Sequence, residues 1–273
     1  MKDLFLFSKE DIDRCEKMEN TDIEKCYYHI SKGSQENSWN GGNAHCYLSS
    51  SLLDKALVLI ARTNYSDALE LIDASIRIRI WLYQKHSVGF NIYKDILGAS
   101  NWIYLLWSFL LRNDTLSQTF DKYYREYATK NDTGYQNTFK NTSLGMGISS
   151  IFNQDYDKAI EFLQALPLNK NEGFKGLSGR YKGLPECVYA LAQQNIELFE
   201  KNMQTANKEW VKYVKKYERG CSFSFCFIFG TSLICLAEKV FGYTPCFDNL
   251  YIPKELLNVK SYSTNILPDY VLQ

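Results

Sequence analysis

The chain has 273 residues, of which 45% are hydrophobic and 15% aromatic, and it carries 31 basic and 31 acidic side chains. This is enough apolar material for one large domain or two small ones. A formal net charge of zero argues against a nucleic-acid partner, because nucleic-acid binders normally carry a basic excess. Local patches of either sign remain compatible with this balance.

Cysteine use and hydropathy indicate the compartment. Eight cysteines are present, none in a Cys-x-x-Cys pair, and many lie in apolar helical stretches. A free cysteine in such a stretch acts as a small hydrophobe, so we expect reduced thiols in a reducing compartment. The N-terminus has no signal-peptide core. The apolar stretches 103–111 and 221–237 are too short or too interrupted to span a bilayer. We expect a cytoplasmic protein without a membrane partner.

The first elements are indicated by capping motifs. Ser8-Lys-Glu-Asp11 has the spacing of a capping box, and Thr21-Asp-Ile-Glu24 repeats it. The two motifs predict short helices over 9–18 and 22–31. Gly33 is suited to end the second helix, because glycine takes the left-handed conformation without steric cost.

A polar loop over 33–44 precedes the first clear helical hairpin. Apolar residues recur at helical spacing over 45–62 and again over 66–85. Asn64 marks the turn between these two helices. Further helix candidates follow over 92–111 and 116–129.

The polar, turn-rich segment 130–141 is the best internal boundary. It divides an N-terminal helical half, 1–130, from a C-terminal helical half, 142–273. We expect the two halves to form one continuous helical domain.

The C-terminal half predicts two more hairpins, over 142–166 and 185–217. A glycine-rich loop, 170–183, separates them, and Pro185 suits the first turn of the following helix. One further apolar helix is predicted over 222–241. Residues beyond 258 have no periodicity and are expected to lie along the surface.

A recurring phrase unites the hairpins. Residues 60–69 and 151–160 share an apolar helix end, an Asn/Asp corner and a Tyr-x-x-Ala start, and 191–200 is a weaker copy. The pattern resembles a tetratricopeptide hairpin. Because Tyr65 and Tyr156 lie 91 residues apart (156 minus 65), a regular short-period solenoid is excluded. With strand signals scarce, the predicted fold is all-α, an irregular tetratricopeptide-like array of antiparallel helical hairpins. Such arrays usually hold partners.

Residues able to support catalysis are few. His45-Cys46 is the most suggestive pair, since a helix N-terminus favours a thiolate. However, neighbours on a helix point in different directions, so His45 is poorly placed to act as the base. Metal ligands at short spacing are missing as well. We therefore predict no enzyme activity, no catalytic residue, no metal site and no cofactor.

Two glycine-containing segments could suggest an anion site. Gly145-Met-Gly147 precedes a helix, but it lacks the strand and the Lys-Ser/Thr of a phosphate loop. Lys175, Arg180 and Lys182 could hold an anion near the helix at Pro185. A solvated loop is the favoured interpretation of these cations.

The C-terminal third carries a family resemblance. It reads Leu184-Pro-Glu-Cys-Val-Tyr-Ala-Leu-Ala-Gln-Gln-Asn-Ile-Glu-Leu-Phe-Glu, then a long amphipathic helix, an apolar helix, and Tyr251-Ile-Pro-Lys-Glu-Leu-Leu257. This order resembles the bacterial immunity protein 49 family of polymorphic toxin systems, over about residues 145–257. Asn195 departs from the Gly-Asp turn of that family.

The resemblance implies that the chain binds and neutralises a cognate toxin without catalysis. Exposed aromatic side chains would serve as anchors, and Trp39, in the polar loop, is the candidate binding residue. The alternative is a helical-repeat adaptor or regulator of a cellular protein or peptide. An enzyme built on the Trp39–Cys46 loop is a third, less favoured hypothesis.

Overall fold

The computed structural model describes most of the chain, and eleven α-helices and no strand occur in the described part. The prediction of an all-α fold is therefore confirmed. The described residues are 6–32, 44–89, 97–130, 136–164, 166, 179–245, 249, 251–259, 262 and 266–273.

The helices are of unequal length, and short 3-10 turns precede three of them. They are α1 (Lys9–Ser31), α2 (Ala44–Ala61), α3 (Tyr65–Ser87), α4 (Trp102–Leu110), α5 (Asp114–Lys130), α6 (Gln136–Phe152), α7 (Tyr156–Gln164), α8 (Leu184–Ala192), α9 (Ile196–Tyr217), α10 (Ile228–Phe241) and α11 (Lys254–Leu257). The 3-10 turns are Ala99–Asn101, Gly179–Tyr181 and Ser222–Ser224.

Four consecutive helical hairpins form the array: α2–α3, α4–α5, α6–α7 and α8–α9. Helix α1 packs against α2 at one end of the chain, and α10 packs against α4. One main hydrophobic cluster includes side chains from all eleven helices. The predicted array of hairpins is confirmed. No helix in the described ranges is long and apolar enough to cross a membrane.

Three of the hairpins turn through the same corner. The residue before each cap has a positive φ of 60°, 59° or 55°, and these residues are Thr63, Gln154 and Gln194. The amide of the next residue donates to the carbonyl five residues earlier, at 2.9, 2.8 and 2.9 Å. The side chain of that residue then accepts from the first turn of the following helix, and the capping residues are Asn64, Asp155 and Asn195. One short motif thus ends one helix in a Schellman turn and caps the next.

A fourth corner, between α4 and α5, was not predicted from the sequence. Arg112 has a φ of 52°, and Asn113 accepts from the amide of Leu116 through its side chain at 3.1 Å. Asp114 occupies the position where the other corners have a large apolar residue. The sequence motif shared by residues 60–69 and 151–160 is therefore not recognisable here. With this corner included, the turns lie 49, 42 and 40 residues apart (63 to 112, 112 to 154, 154 to 194). The interval of 91 residues therefore spans two hairpins.

Glycine substitutions at two corners are expected to have opposite effects. The left-handed conformation costs an L-residue about 1–2 kcal/mol, and a glycine at the same position avoids this cost. Part of the resulting stabilisation is cancelled, because glycine loses more conformational entropy on folding than other residues do. Gln194→Gly should therefore raise the free energy of unfolding by about 0.5 kcal/mol. Arg112→Gly should lower it by about 2 kcal/mol, because the Arg112 guanidinium donates to the carbonyls of Cys235 and Leu257, each at 3.0 Å. Urea denaturation of both variants measures the difference, and a shared sign would contradict this account.

Helix α1 is continuous, so the prediction of two short helices over 9–18 and 22–31 is wrong. The capping box of Ser8 and Asp11 is present as predicted. The second box is not formed, because Thr21 Oγ1 donates to the carbonyl of Lys17 at 2.9 Å inside the helix. A threonine can bond backwards within a helix as well as cap one, and here the backward bond forms.

The predicted helix over 222–241 is also interrupted. A 3-10 turn at Ser222–Ser224 is followed by three non-helical residues, and α10 begins at Ile228. The amide of Phe227 donates to the carbonyl of Tyr251 at 2.8 Å rather than to a helical carbonyl. This long-range bond fixes the break.

Candidate partner-binding groove

The residues singled out from the sequence lie at different places. Trp39 falls outside the described residues. Cys46 is half-buried on α2, and its carbonyl accepts from Ser50 Oγ and from the Arg79 guanidinium at 3.2 and 3.3 Å. His45 is buried, and its Nε2 lies 2.7 Å from the carbonyl oxygen of Val271, so the ring contacts the C-terminal segment.

The His45 ring is held neutral by its surroundings. Its pKa is lowered to about 4, mainly by burial and to a smaller extent by the charge of Lys85, while the hydrogen bond to Val271 acts in the opposite direction. A neutral imidazole whose Nε2 faces a carbonyl must carry its proton on Nε2 and donate it. The ring also stacks on Trp81, with centroids 4.2 Å apart. His45 therefore fixes the last residues of the chain against α3.

The described residues 262 and 266–273 are here named the tail segment, and they contact α3 through Glu70 and Lys85. The described residues lie along the surface as predicted, although the side chains of Leu267 and Val271 are buried. At one end the amide of Tyr262 donates to the carbonyl of Leu111 at 2.7 Å. At the other, Lys85 Nζ donates to the carbonyl oxygen of Gln273 at 2.5 Å. The segment is not helical and turns at Pro268, whose carbonyl accepts from Val271.

A groove of about 660 Å³ lies beside the tail segment. This tail groove is lined by Arg77, Ile80, Trp81 and Gln84 of α3, by Asn113, Thr115, Leu116 and Thr119 at the start of α5, and by Leu272 of the tail segment. Its size is in the range of specific binding sites. The lining alternates apolar side chains with groups that can donate or accept hydrogen bonds, which suits a polypeptide backbone and its side chains.

Two polar side chains of the groove, Arg77 and Asn113, are held in place by hydrogen bonds to other parts of the protein. Asp73, whose side chain is fully buried, accepts from Arg77 Nε at 2.7 Å and from its terminal nitrogen at 3.3 Å. Asn113 caps α5 and also donates to the carbonyl of Tyr262 at 3.3 Å. Because these contacts already restrict the side chains, less side-chain entropy is lost when a partner binds.

The candidate anion loop is largely neutralised. Arg180 pairs with Glu218 at 2.6 Å, and its guanidinium lies 3.9 Å from the ring centroid of Phe223. Lys182 pairs with Glu209 at 2.5 Å. Lys175 lies outside the described residues. Gly145 and Gly147 lie inside α6 and pack against other helices, so they form no phosphate loop.

A second group of titratable side chains lies between α1 and α2, away from the groove. Glu19 is buried, and desolvation together with the charges of Asp54 and Asp22 raises its pKa to about 8. Burial also raises the pKa of Asp54 to about 6, although Ser222 Oγ donates to it at 3.2 Å. The folded protein therefore favours the protonated form of Glu19.

Glu19 is expected to make stability fall as pH rises. The unfolded carboxyl ionises near its ordinary value of 4.5, whereas the folded one keeps its proton until about pH 8. The native state thus binds more protons within this window, and its stability decreases across it. Glu19→Gln should raise the free energy of unfolding by about 2 kcal/mol at pH 8 and leave it unchanged at pH 4. Urea denaturation at both values tests this, with Glu24→Gln, exposed on the same helix, as the control.

No family model, curated protein or solved structure matches the chain. Within the described ranges, no group of three or more His, Cys, Asp or Glu side chains is arranged to hold a metal ion. The seven described cysteines are all free thiols; Cys46 is half-buried and Cys221 is exposed. The fold and the tail groove are therefore the basis for a functional proposal.

Proposed function

We propose that this chain is a protein-binding module that neutralises a cognate bacterial toxin by holding a segment of the toxin in the tail groove, without chemistry of its own. The observation that carries the proposal is the tail segment itself. A non-helical stretch of polypeptide already lies on this face, with Val271 buried and its carbonyl bound by His45. The space beside Leu272 continues the same surface.

The surface has the features that recognition of a peptide segment needs. Ile80, Trp81 and Leu116 form the apolar floor of the groove, each less than one tenth exposed, and the half-buried Leu272 lies at its side. Arg77, Gln84 and Asn113 offer donors at the edge of that area. Because Asp73 already orients Arg77, little side-chain freedom is lost on binding.

The toxin as partner follows from the family resemblance of residues 145–257. A rigid helical array is a suitable scaffold for this role, since neutralisation needs only a complementary surface. The alternative is an adaptor that uses the same groove for a segment of a cellular protein.

Co-expression tests the toxin proposal. We expect the chain to protect cells from the toxin encoded beside its gene, at expression levels where an empty vector does not. Purified chain and toxin should also form a complex on size exclusion. If the toxin kills equally with and without the chain and no complex forms, the immunity role is rejected and the adaptor is favoured.

A further inference from the structure

The turn that follows α9 packs closely against the start of α1. The carbonyl oxygen of Gly220 accepts from the Arg14 guanidinium at 2.9 Å and from Cys15 Sγ at 3.4 Å. Gly220 has a φ of 75°, and a β-carbon at this position would clash with the carboxylate of Asp11. The backbone of this turn therefore lies directly on the first two turns of α1.

Two cysteines meet at this contact, because Cys221 follows the glycine whose carbonyl Cys15 Sγ touches. A peptide oxygen lies about 2.8 Å from the next Cα, so Cys15 Sγ lies within about 6 Å of the Cys221 Cα. In a disulfide, the two Cα atoms lie about 4.4–6.8 Å apart. Rotation of the Cys221 side chain towards α1, with a shift of the turn of no more than about 2 Å, therefore brings the sulfurs into bonding range.

The chain on both sides of Cys221 is fixed by hydrogen bonds. The amide of Cys221 donates to the carbonyl of Glu218 at 3.1 Å. After it, Ser222 Oγ donates to Asp54 on α2 at 3.2 Å. Cys221 therefore stays beside Cys15 in the folded chain.

The two thiols differ in their access to solvent. Cys221 is exposed, whereas Cys15 is only 3% exposed and packs with Val58 and Phe225. Burial raises the pKa of the Cys15 thiol, and the charge of Arg14 acts in the opposite direction. Because the thiolate is the reactive form, an oxidant in solution reacts with Cys221 first. Cys15 then reacts with what Cys221 has become.

We propose that Cys221 and Cys15 form a reversible disulfide, with a low-molecular-weight disulfide such as oxidised glutathione as the oxidant. Cys221 loses its proton to solvent, and its thiolate attacks one sulfur of the oxidant and releases one glutathione thiolate. Cys15 then loses its proton, attacks Cys221 Sγ and releases the second glutathione thiolate. Two protein thiols are oxidised by two electrons, and the oxidant is reduced to two thiols that take up the two protons.

The bond would fasten α1 covalently to the segment between α9 and α10. Disulfides that form in reducing compartments are usually transient and catalytic or redox-sensing. A cross-link between residues 206 positions apart (221 minus 15) strongly restricts the unfolded chain. The site lies on α1 and not in the tail groove, so the proposal does not depend on the proposed function.

The test equilibrates the purified chain in glutathione buffers of increasing oxidised share, followed by acid quenching, alkylation and peptide mapping by mass spectrometry without reduction. We expect a cross-linked peptide pair that contains Cys15 and Cys221, and its loss in excess reduced glutathione. Cys15→Ser should instead retain glutathione on Cys221, and Cys221→Ser should stay reduced at Cys15. Cys46→Ser, which removes the half-buried thiol of α2, is the control and should form the cross-link as wild type does.

Four outcomes would overturn the proposal. The wild-type chain could keep both thiols reduced in the most oxidising buffer, retain only glutathione on Cys221, or pair Cys221 with a different cysteine. The fourth is a Cys15–Cys221 cross-link that is no more frequent among all pairings in native buffer than in concentrated urea, where proximity in the fold is lost. Protection from the toxin is measured separately, so failure of either experiment leaves the other result unaffected.

Discussion

Replacing Gly145 by alanine is expected to lower the free energy of unfolding by about 2–3 kcal/mol, although alanine is the better helix former by about 1 kcal/mol. A β-carbon at this position would lie 1.8 Å from Tyr124 Oη and 2.6 Å from Trp102 Cβ. Tyr124 is fully buried, and the Trp102 atom is fixed to the backbone, so neither can move without shifting a helix. The steric term therefore exceeds the gain in helix propensity.

Gly147→Ala provides the comparison on the same helix. The three atoms nearest its β-carbon would all belong to the Leu163 side chain, the nearest at 2.8 Å, so the clash is less close than at Gly145 and involves no atom fixed directly to the backbone. Thermal and urea unfolding should show a fall in Tm of about 5–10 °C for Gly145→Ala and a smaller fall for Gly147→Ala. If Gly145→Ala is as stable as wild type, the close approach of α6 to α4 and α5 is incorrect.

The second large effect is expected at Val271. Its side chain is fully buried in the main hydrophobic cluster, and Val271→Asp would place a carboxylate there. Such burial costs more than detaching the segment, so the tail segment should leave α3. We expect a loss of about 2–4 kcal/mol in the free energy of unfolding, together with faster hydrogen exchange in residues 266–273.

Gln273→Asp is the matched control for this prediction. It adds the same charge two residues later, at an exposed position. Exchange and stability should stay close to those of wild type. Equal protection of the segment in Val271→Asp and wild type would show that Val271 does not anchor it.

The hairpins could be predicted where neighbouring residues in the sequence determine the turn. At Asn64, Asp155 and Asn195 a polar cap, a preceding residue able to take positive φ and a following apolar residue occur together. These features act over only a few residues of chain. The corner at Asn113 uses the same backbone, but Asp114 replaces the apolar residue, and the phrase is lost. A search for the capping asparagine alone, with Leu116 and Phe120 as the buried face, would have identified it.

The tail groove could not be predicted, because its contacts join residues far apart in the sequence. Leu267 and Val271 are isolated apolar residues without periodicity, and only the carbonyl contacts with His45 and Lys85 show where they pack.

The central claim is that the tail groove binds a segment of a partner, and calorimetric titration of the purified toxin into groove variants tests it most directly. Thr119→Tyr places a ring in the groove, whereas Gln118→Tyr places the same ring on the adjacent exposed position of α5, outside the lining. We predict that Thr119→Tyr weakens binding at least about thirtyfold, with Gln118→Tyr and wild type alike. Equal affinity of all three proteins for the toxin would contradict the claim.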